Sequence, residues 1–298
     1  TGTSTGLGKT LVELVLAKGE IVVATARRTA PLNDLKAKYP ASHLLVLKLD
    51  VSKPSEITAA FAQVKEAFGR LDVVVNNAGW GTFGEVESAV DADARAMFDT
   101  NFWGAVDVSR AALAFFRDVN APGVGGRLVQ ISSCCGIVGL PGQAFYCASK
   151  FALEAVTESL AAEIDPTWNI KVSIADRRNT AVVRPSLTVH MLALQVTLIA
   201  LGAFATEGVQ KITWSAPHPA YSKPELPVSA MRNMWESFNP QGDVKKAVEV
   251  FYTVAGLPDP PLHIAVGKDS IEMSKVKLGK VLAEFEKYEY LSENLNKD

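Results

Sequence analysis

Tyr146 and Lys150 stand four residues apart in the run YCASK, and Ser133 lies thirteen residues before the tyrosine. On a helix, positions i and i+4 share a face, so the phenol and the ammonium group would lie side by side. A neighbouring positive charge stabilises a phenolate and lowers the pKa of the phenol from its usual value of about 10. This spacing predicts a tyrosine that works as an acid or base near neutral pH, with the serine hydroxyl polarising a carbonyl oxygen.

A glycine-rich run, TGTSTGLG, occupies residues 1–8. Glycine lets the backbone approach a phosphate closely, and a helix that begins near Gly8 points its free amide groups at an anion. An apolar, helically periodic segment follows and ends at Gly19, and the strand-like run IVVATA comes next. Loop, helix and strand therefore stand in the order of a dinucleotide-binding half.

Further short motifs follow in order along the chain. The run LDV occupies residues 49–51, NNAG occupies residues 76–79, and NFWG contains Asn101. Together with the glycine run and the Ser, Tyr and Lys set, these motifs make the chain resemble the short-chain dehydrogenase/reductase family. The resemblance covers about residues 1–175 and resumes near residue 202.

The resemblance implies one Rossmann-type α/β domain over residues 1–298, built on a doubly wound parallel sheet. The implied catalytic residues are Asn101, Ser133, Tyr146 and Lys150. The implied cofactor-binding residues are Gly2, Ser4, Thr5, Gly6, Leu7, Gly8, Arg27, Asp50, Val51, Asn77, Ala78, Gly79, Tyr146, Lys150, Gly202 and Thr206. Asn101 would hold a water in a proton relay beneath Lys150. Asp50 would bond the adenine edge, or else cap a helix that begins near Ser52.

The run TARR, at the end of the second expected strand, bears on the choice of cofactor. NAD enzymes usually place a carboxylate there to bond the ribose 2′-hydroxyl, and this run has none. A guanidinium is a planar, bidentate partner for a phosphate. Arg27 therefore favours NADP over NAD, with Arg28 and the hydroxyls of Ser4 or Thr5 as helpers.

The composition is that of a globular enzyme. The chain has 298 residues, of which 48% are hydrophobic and 21% charged, enough for one large domain with a buried core. A net charge of −2 offers no general attraction to nucleic acid, so nucleic acid is not an expected partner. Cys134, Cys135 and Cys147 lack metal-ligand spacing, so no metal site is predicted, and they suit a reducing cytoplasm. A homo-oligomer is compatible with this composition.

Strand-like and helix-like segments alternate, as in a parallel sheet covered on both faces. Strands are predicted at residues 21–26, 44–48, 71–76, 127–132, 170–175 and 262–267. Helices are predicted from Tyr146 to Ile164, at about 243–255 and at about 270–295. Residues 213–242 read as a lid over the substrate. The aromatic residues of this lid, Trp214, Tyr221, Trp235 and Phe238, suit an apolar carbonyl or alcohol substrate.

Two features depart from the family pattern. No apolar run precedes the glycine loop, so the first strand, which lies in the middle of the sheet in this fold, is predicted to be missing. Its absence would leave two neighbouring strands with unpaired backbone groups. Either this is a fragment of a longer chain, or another segment fills the gap.

The second departure is an apolar segment, residues 177–201, where the family has a short Pro-Gly turn. Residues 187–205 carry no charge, so a membrane-spanning helix is one interpretation, and a buried or lid helix is another. We favour a third interpretation, an intron translated in frame. In that case Gly202 and Thr206 are expected to be held away from the nicotinamide.

The sequence therefore predicts an NADP-dependent oxidoreductase that moves a hydride between nicotinamide and a carbonyl or alcohol carbon. Three alternatives remain open at this point. The chain could be a non-catalytic nucleotide-binding protein with the same fold, an inactive fragment, or an enzyme anchored to a membrane through residues 187–205.

Overall fold

Strands and helices alternate along the chain. The computed structural model describes residues 1–171, 196–293 and 295. The strands are β1 Val22–Ala26, β2 Leu44–Lys48, β3 Val73–Asn76, β4 Thr82–Phe83, β5 Gly126–Ile131, β6 Ile170–Lys171, β7 Val196–Leu201, β8 Thr213–Trp214 and β9 His263–Val266. The α-helices are α1 Gly6–Ala17, α2 Asn33–Lys38, α3 Pro54–Phe68, α4 Asp91–Phe98, α5 Ala105–Asp118, α6 Ala144–Glu163, α7 Glu207–Gln210, α8 Pro227–Glu236, α9 Val244–Gly256 and α10 Lys268–Tyr288.

Local sequence explains several helix ends. Pro54 begins α3, at a position where its missing amide hydrogen costs no helical bond. Gly69 ends the same helix with a φ of +62°, in the left-handed region that glycine adopts without strain. α6 ends at Glu163, just before Asp165 and Pro166, where the sequence predicts its end. A π-helical turn, Asp99–Gly104, joins α4 to α5.

The main sheet is parallel and is covered by helices on both faces. β3, β5, β7 and β9 are hydrogen-bonded in that order, and β1 pairs with β2. Leu128 and Leu198 pack toward α3 and α5, whereas Val129 and Ile199 pack toward α1 and α9. Neighbouring residues of each strand thus bury opposite faces, as in a doubly wound sheet. The predicted fold class is confirmed.

A cavity of about 690 Å³ separates β1 from β3. Most of its wall is apolar, and it includes Leu11, Val15, Val64, Val74 and Phe251. Among the described residues, β1 pairs only with β2 and β3 only with β5, so the two facing edges lack a strand partner. The backbone amide of Thr3 donates to Thr25 O at 3.0 Å, and the nitrogen of Thr1 donates to Val75 O at 2.7 Å. The glycine loop therefore spans one end of this gap, which lies where the sequence predicts the missing strand.

One strand position beside β5 is occupied by two separate segments. Gly126 and Arg127 pair with the residues of β6. The next residues of β5, 128–131, pair with residues 196–199 of β7. Lys171 and Val196 therefore hold consecutive places along the same edge of β5, although residues 172–195 stand between them in the sequence.

This pairing corrects the boundary of the expected insertion. Residues 196–201, at the end of the segment 177–201, form a central strand because their apolar side chains fill both faces of the sheet; Leu198 and Ile199 are buried. The same strand rules out one continuous helix over residues 187–205. In the described part of the chain, no helix is both long enough and apolar enough to cross a membrane. Residues 177–195, and the end of the strand predicted at 170–175, lie outside the described residues.

Candidate active site

Ser133, Tyr146 and Lys150 come together at the carboxyl end of β5. Ser133 follows β5 and caps a 3-10 turn, where its Oγ accepts a hydrogen bond from the Cys135 amide at 3.2 Å. Tyr146 and Lys150 lie in the first two turns of α6, on one face, as their spacing predicts. The Ser133 hydroxyl lies close enough to the Tyr146 phenol to favour its ionised form. Two hydroxyl groups thus stand next to each other, with an ammonium group one turn away.

The proton affinities at this site differ from the sequence expectation. Burial is the largest influence on Tyr146, and it raises the pKa of the phenol well above its usual value, against the opposing influence of the Ser133 hydroxyl. The Lys150 Nζ donates to Ile131 O at 2.9 Å. Burial also lowers the pKa of Lys150 to about 8. At neutral pH the phenol is protonated and the lysine is mostly charged.

Asn101 lies in the π-helical turn between α4 and α5, and its side chain is buried. Its Oδ1 accepts from the Trp80 amide at 3.0 Å, and its Nδ2 donates to Trp80 O at 2.8 Å. The same Nδ2 donates to Ser149 Oγ at 3.2 Å, and Ser149 in turn donates to Tyr146 O at 2.7 Å. The side chain therefore ties the loop after β3 to α6. A water relay through Asn101 stays a prediction.

The glycine loop fits closely against the NNAG segment. A Cβ atom at Gly8 would lie 2.4 Å from Gly2 O, and one at Gly2 would lie 2.9 Å from the Ala78 Cα. Only glycine permits these approaches. The Asn77 side chain donates to Thr1 O at 2.9 Å, and the amides of Asn77 and Ala78 donate to Thr1 Oγ1. These bonds hold the loop against the strand end that carries residues 76–79.

The first turn of α1 is suited to a phosphate group. Thr5 is the N-cap residue, its side chain makes no capping hydrogen bond, and the first turn has no acidic residue. The free amide groups of this turn, at the positive end of the helix dipole, are therefore available to bind an anion. A Cβ at Gly6 would lie 3.3 Å from the Thr206 Cβ, so the loop also lies next to Thr206. These residues fit the pyrophosphate of a dinucleotide.

Arg27 and Asp50 follow the carboxyl ends of the neighbouring strands β1 and β2. Arg27 is exposed. Burial opposes ionisation of Asp50, but the hydrogen bonds from Ser52 and the charge of Arg27 lower its pKa. Asp50 Oδ1 accepts hydrogen bonds from the amide and the hydroxyl of Ser52, at 3.1 and 2.8 Å. The N-cap of α3 is instead Lys53, so Asp50 forms a turn before the helix rather than capping it. Ser4, Thr5 and Leu7 lie nearby in the glycine loop, and Val51 is buried beneath Gly104.

Gly202 and Thr206 lie at the carboxyl end of β7, and Thr206 lies beside the glycine loop; their distance from a bound nicotinamide stays a prediction. Gly202 directly follows β7, and its amide donates to Val266 O at 2.9 Å. Thr206 caps α7 beside the glycine loop. They keep these positions because β7 is in register with β5 and β9. Gly202 packs against the Asp269 carboxylate, which accepts from the Ala203 amide at 2.7 Å.

Comparison with known proteins identifies the family. The short chain dehydrogenase family profile matches residues 1–180. The chain belongs to this family. An uncharacterised oxidoreductase of Schizosaccharomyces pombe, C162.03, is 34% identical over 301 residues, covering 100% of this chain and 91% of that protein. The crystal structure of a short-chain dehydrogenase from Streptomyces avermitilis matches with a TM-score of 0.81 at 30% identity, covering 100% of this chain and 97% of that one.

A more distant structure shares the fold. The closed form of serine dehydrogenase complexed with NADP⁺ matches with a TM-score of 0.68 at 21% identity, covering 89% of this chain and 92% of that one. The family and its oxidoreductase relatives show that the chain is a short-chain dehydrogenase/reductase acting on substrates of the CH–OH type.

An aromatic cluster in this dehydrogenase joins Tyr146 to residues 213–242, the segment that the sequence predicts to be a lid. The Phe83 ring lies 5.9 Å from the Tyr146 ring, 5.5 Å from Trp214 and 5.0 Å from Trp235, between centroids. Trp235 in turn stacks on Phe238. Tyr221 pairs with His218 instead, apart from this cluster. Phe83 gives little signal in the sequence, because an isolated aromatic residue more often belongs to a core.

An ion pair between buried Glu85 and half-buried Arg232 connects the predicted lid segment, residues 213–242, to the rest of the dehydrogenase. Arg232 of α8 donates to both carboxylate oxygens of Glu85, at 2.9 and 2.6 Å, and to Ser215 O at 2.9 Å. Burial opposes ionisation of Glu85, but the hydrogen bonds from Arg232 and Ser88 prevail and lower its pKa to about 2. Nothing in the sequence singles out this pair, since its members are 147 residues apart.

Proposed function

We propose that this dehydrogenase moves a hydride between NADP and small apolar carbonyl or alcohol substrates. The observation that supports this proposal is the placement of the Tyr146 phenol beside the Ser133 hydroxyl and one turn from the Lys150 ammonium. A phenol that keeps its proton at neutral pH is a ready acid for a carbonyl oxygen.

Each side chain has a separate task in this scheme. The hydroxyls of Ser133 and Tyr146 hold the substrate oxygen, and the Tyr146 proton passes to it. The charge of Lys150 stabilises the phenolate that remains. The same side chain also holds the nicotinamide ribose. NADPH, when bound, supplies the hydride. Asn101 keeps the loop at residues 79–81 against α6, and we retain it as the support for a proton relay to solvent.

The case for NADP rests on charge. Arg27 is exposed at the end of β1, and no carboxylate occupies the place of a 2′-hydroxyl partner there. The distant serine dehydrogenase structure is a complex with NADP⁺, which agrees with this choice. Changing Arg27 to Asp should shift the ratio of kcat/KM values from NADP toward NAD. An unchanged ratio would assign 2′-phosphate recognition to Arg28 or the glycine loop.

An apolar substrate follows from the cluster that continues from Tyr146. Phe83, Trp214 and Trp235 form an aromatic wall beside the phenol, and aromatic walls favour apolar ligands oriented by a few polar groups. A screen of apolar ketones and their alcohols, followed by NADPH absorbance, tests this class. Turnover only of charged, hydrophilic carbonyl compounds would contradict it.

The test of the whole proposal is Tyr146→Phe, with Tyr252→Phe of α9 as the matched control. The first change removes the transferable proton and should abolish turnover while NADPH binding, followed by fluorescence, stays within about twofold. The control should leave both unchanged, because Tyr252 lies on the far side of the sheet, beside Glu20. NADPH binding without any turnover in the unchanged protein would favour a nucleotide-binding module instead.

We also propose a homo-oligomer that forms through α10. Leu278, Leu282 and Phe285 share a face of this helix and are 60, 57 and 71% exposed. Lysines 275, 277 and 280 precede glutamates 284, 286 and 289. A second copy packed antiparallel would therefore pair opposite charges around an apolar seam. Sedimentation should show a dimer that the change Leu282→Glu dissociates. A monomer at all concentrations would contradict the proposed dimer.

The three free thiols favour a cytoplasmic location.

A further inference from the structure

Three metal-type ligands that are remote in sequence meet between α6 and β9. Glu154 and Glu158 lie one turn apart on α6, and His263 is the first residue of β9. The His263 Nε2 is 3.8 Å from Glu154 Oε2 and 3.1 Å from Glu158 Oε1. One ligand atom from each of the three residues lies within 4.8 Å of the other two.

These separations match the donor spacing around a small cation. In a tetrahedral site with bonds of about 2.0 Å, neighbouring donor atoms lie about 3.3 Å apart. The two measured separations, 3.1 and 3.8 Å, fall on either side of that value. The two glutamate oxygens lie within 4.8 Å of each other, so the side chains must close on one another to place all three donors around one ion.

Glu154 is the buried member of the cluster. The residue is only 6% exposed; its Oε2 faces His263, whereas its Oε1 lies on the side of Gly136 and Ser132. A buried carboxylate is costly unless a hydrogen bond, a countercharge or a metal compensates it. Lys150, one turn earlier on α6, gives its hydrogen bond to Ile131 O rather than to Glu154.

We propose that Glu154, Glu158 and His263 bind a divalent transition-metal ion, for which Zn²⁺ is the best match. One imidazole nitrogen and two carboxylate oxygens are a donor set that zinc accepts, with a water in the fourth place. The side chains of Glu158 and His263 are 55 and 47% exposed, so an ion can enter from solvent. The bound ion fastens α6, which carries Tyr146 and Lys150, to the edge strand β9.

The sequence does not reveal this site, and no metal is predicted from it. Two glutamates at helical i and i+4 positions are common on protein surfaces, and His263 follows Glu158 by 105 residues. Only the pairing of β9 with β7, which fixes His263 opposite Leu198, brings the imidazole to α6. The competing arrangement is a direct hydrogen bond between His263 and Glu158, which needs no metal.

Titration calorimetry with zinc chloride on the full chain tests the proposal. We expect one zinc ion per chain. The changes His263→Asn and Glu158→Gln should each weaken binding at least about tenfold, because each removes a ligand. His43→Asn and Glu163→Gln are matched controls on exposed residues elsewhere, and both should bind as the unchanged protein does. Far-UV circular dichroism of each variant confirms that it is folded.

Cobalt(II) distinguishes this site from the three cysteines. A site of nitrogen and oxygen ligands gives weak visible bands without the intense thiolate-to-cobalt absorption of a cysteine site. We expect the weak bands alone, and their loss in His263→Asn. The proposal is overturned by the absence of stoichiometric zinc binding, by equal binding in His263→Asn, or by a thiolate band that this variant retains.

Discussion

Two strand positions in the central sheet differ in whether described residues occupy them. Between β1 and β3 none of the described residues forms a strand, and about 690 Å³ of largely apolar space lies there. Beside β5 a strand position is filled, although two segments separated in sequence are needed to fill it. On the two faces of the sheet, α1 packs on α9 and α3 packs on α5.

The contrast shows what determines a strand position in this fold. The edge of β5 offers a continuous row of backbone donors and acceptors and two apolar faces, and any suitable segment that reaches it completes the sheet. Ile170 and Lys171 use its first part, and Val196 continues directly after them. Continuity of the chain is not required. The edge between β1 and β3 offers the same features, and there no described residue lies within reach except Thr1 and Thr3 at one end.

The largest effect is expected from two deletions that differ only in their boundaries. Removing residues 172–195 joins Lys171 to Val196, which already hold consecutive places on β5, so the protein should fold and its midpoint in urea should not fall. Removing residues 177–201 takes away β7, including the buried Leu198 and Ile199, and should prevent folding. Circular dichroism and urea titration separate the two outcomes.

If the protein without residues 177–201 is as stable as the protein without residues 172–195, then β7 is dispensable and the prediction is wrong.

The deletion of residues 172–195 also bears on the origin of the inserted segment. If it is an intron translated in frame, sequencing of the transcript should find a spliced message without codons for about residues 172–195. A spliced message that contains them would remove this interpretation and leave the structural prediction in place.

Filling the open position should give the next largest effect. Five apolar residues, Val-Ile-Val-Leu-Val, fused before Thr1 would lead directly into the gap, because the Thr1 nitrogen already bonds Val75 O. Burial of each such side chain contributes about 1.5–3 kcal/mol, against about 1–2 kcal/mol of backbone entropy. A net gain of a few kcal/mol, or a rise in Tm on the order of 10 °C, is expected by calorimetry. A Ser-Gly-Ser-Gly-Ser fusion is the control, and equal Tm values for both fusions would contradict the prediction.

Much of this fold could be predicted from the sequence, because strand periodicity and glycine signals act locally. The strand at 44–48 and the end of α6 agree with their predicted bounds. β7 was missed for a physical reason: a strand buried on both faces is a continuous apolar run, which periodicity does not distinguish from a helix. The Glu85–Arg232 pair and the Phe83 cluster depend on contacts across more than 60 residues, and no local pattern encodes such contacts.

A pair of equal truncations compares the packing at the two positions. Leu198→Ala, at the filled position, should cost about 2–5 kcal/mol of unfolding free energy because it opens a cavity in a closed core. Leu11→Ala, on the wall of the open position, enlarges a space that exists already and should cost less than about half as much. In the protein that carries the apolar fusion, the cost of Leu11→Ala should rise toward that of Leu198→Ala. Urea denaturation at pH 7 measures all three losses of unfolding free energy.

The smallest expected effect is on the pH dependence of the unfolding free energy. It distinguishes stabilisation by buried apolar side chains from stabilisation by the Glu85–Arg232 ion pair. The pKa of Glu85 is about 2 in the folded protein, below the value of about 4.3 expected for an unfolded chain. A carboxyl with a lowered pKa contributes stability that is complete above the unfolded pKa and is lost as the pH falls toward the folded value. The unfolding free energy lost in Glu85→Gln should therefore be constant from pH 7 to about pH 5 and shrink below about pH 4.3. The gain from the apolar fusion involves no ionisable group and should stay the same over that range. A loss in Glu85→Gln that does not change between pH 5 and pH 3 would mean that the Arg232 contact stabilises the lid by packing rather than by charge.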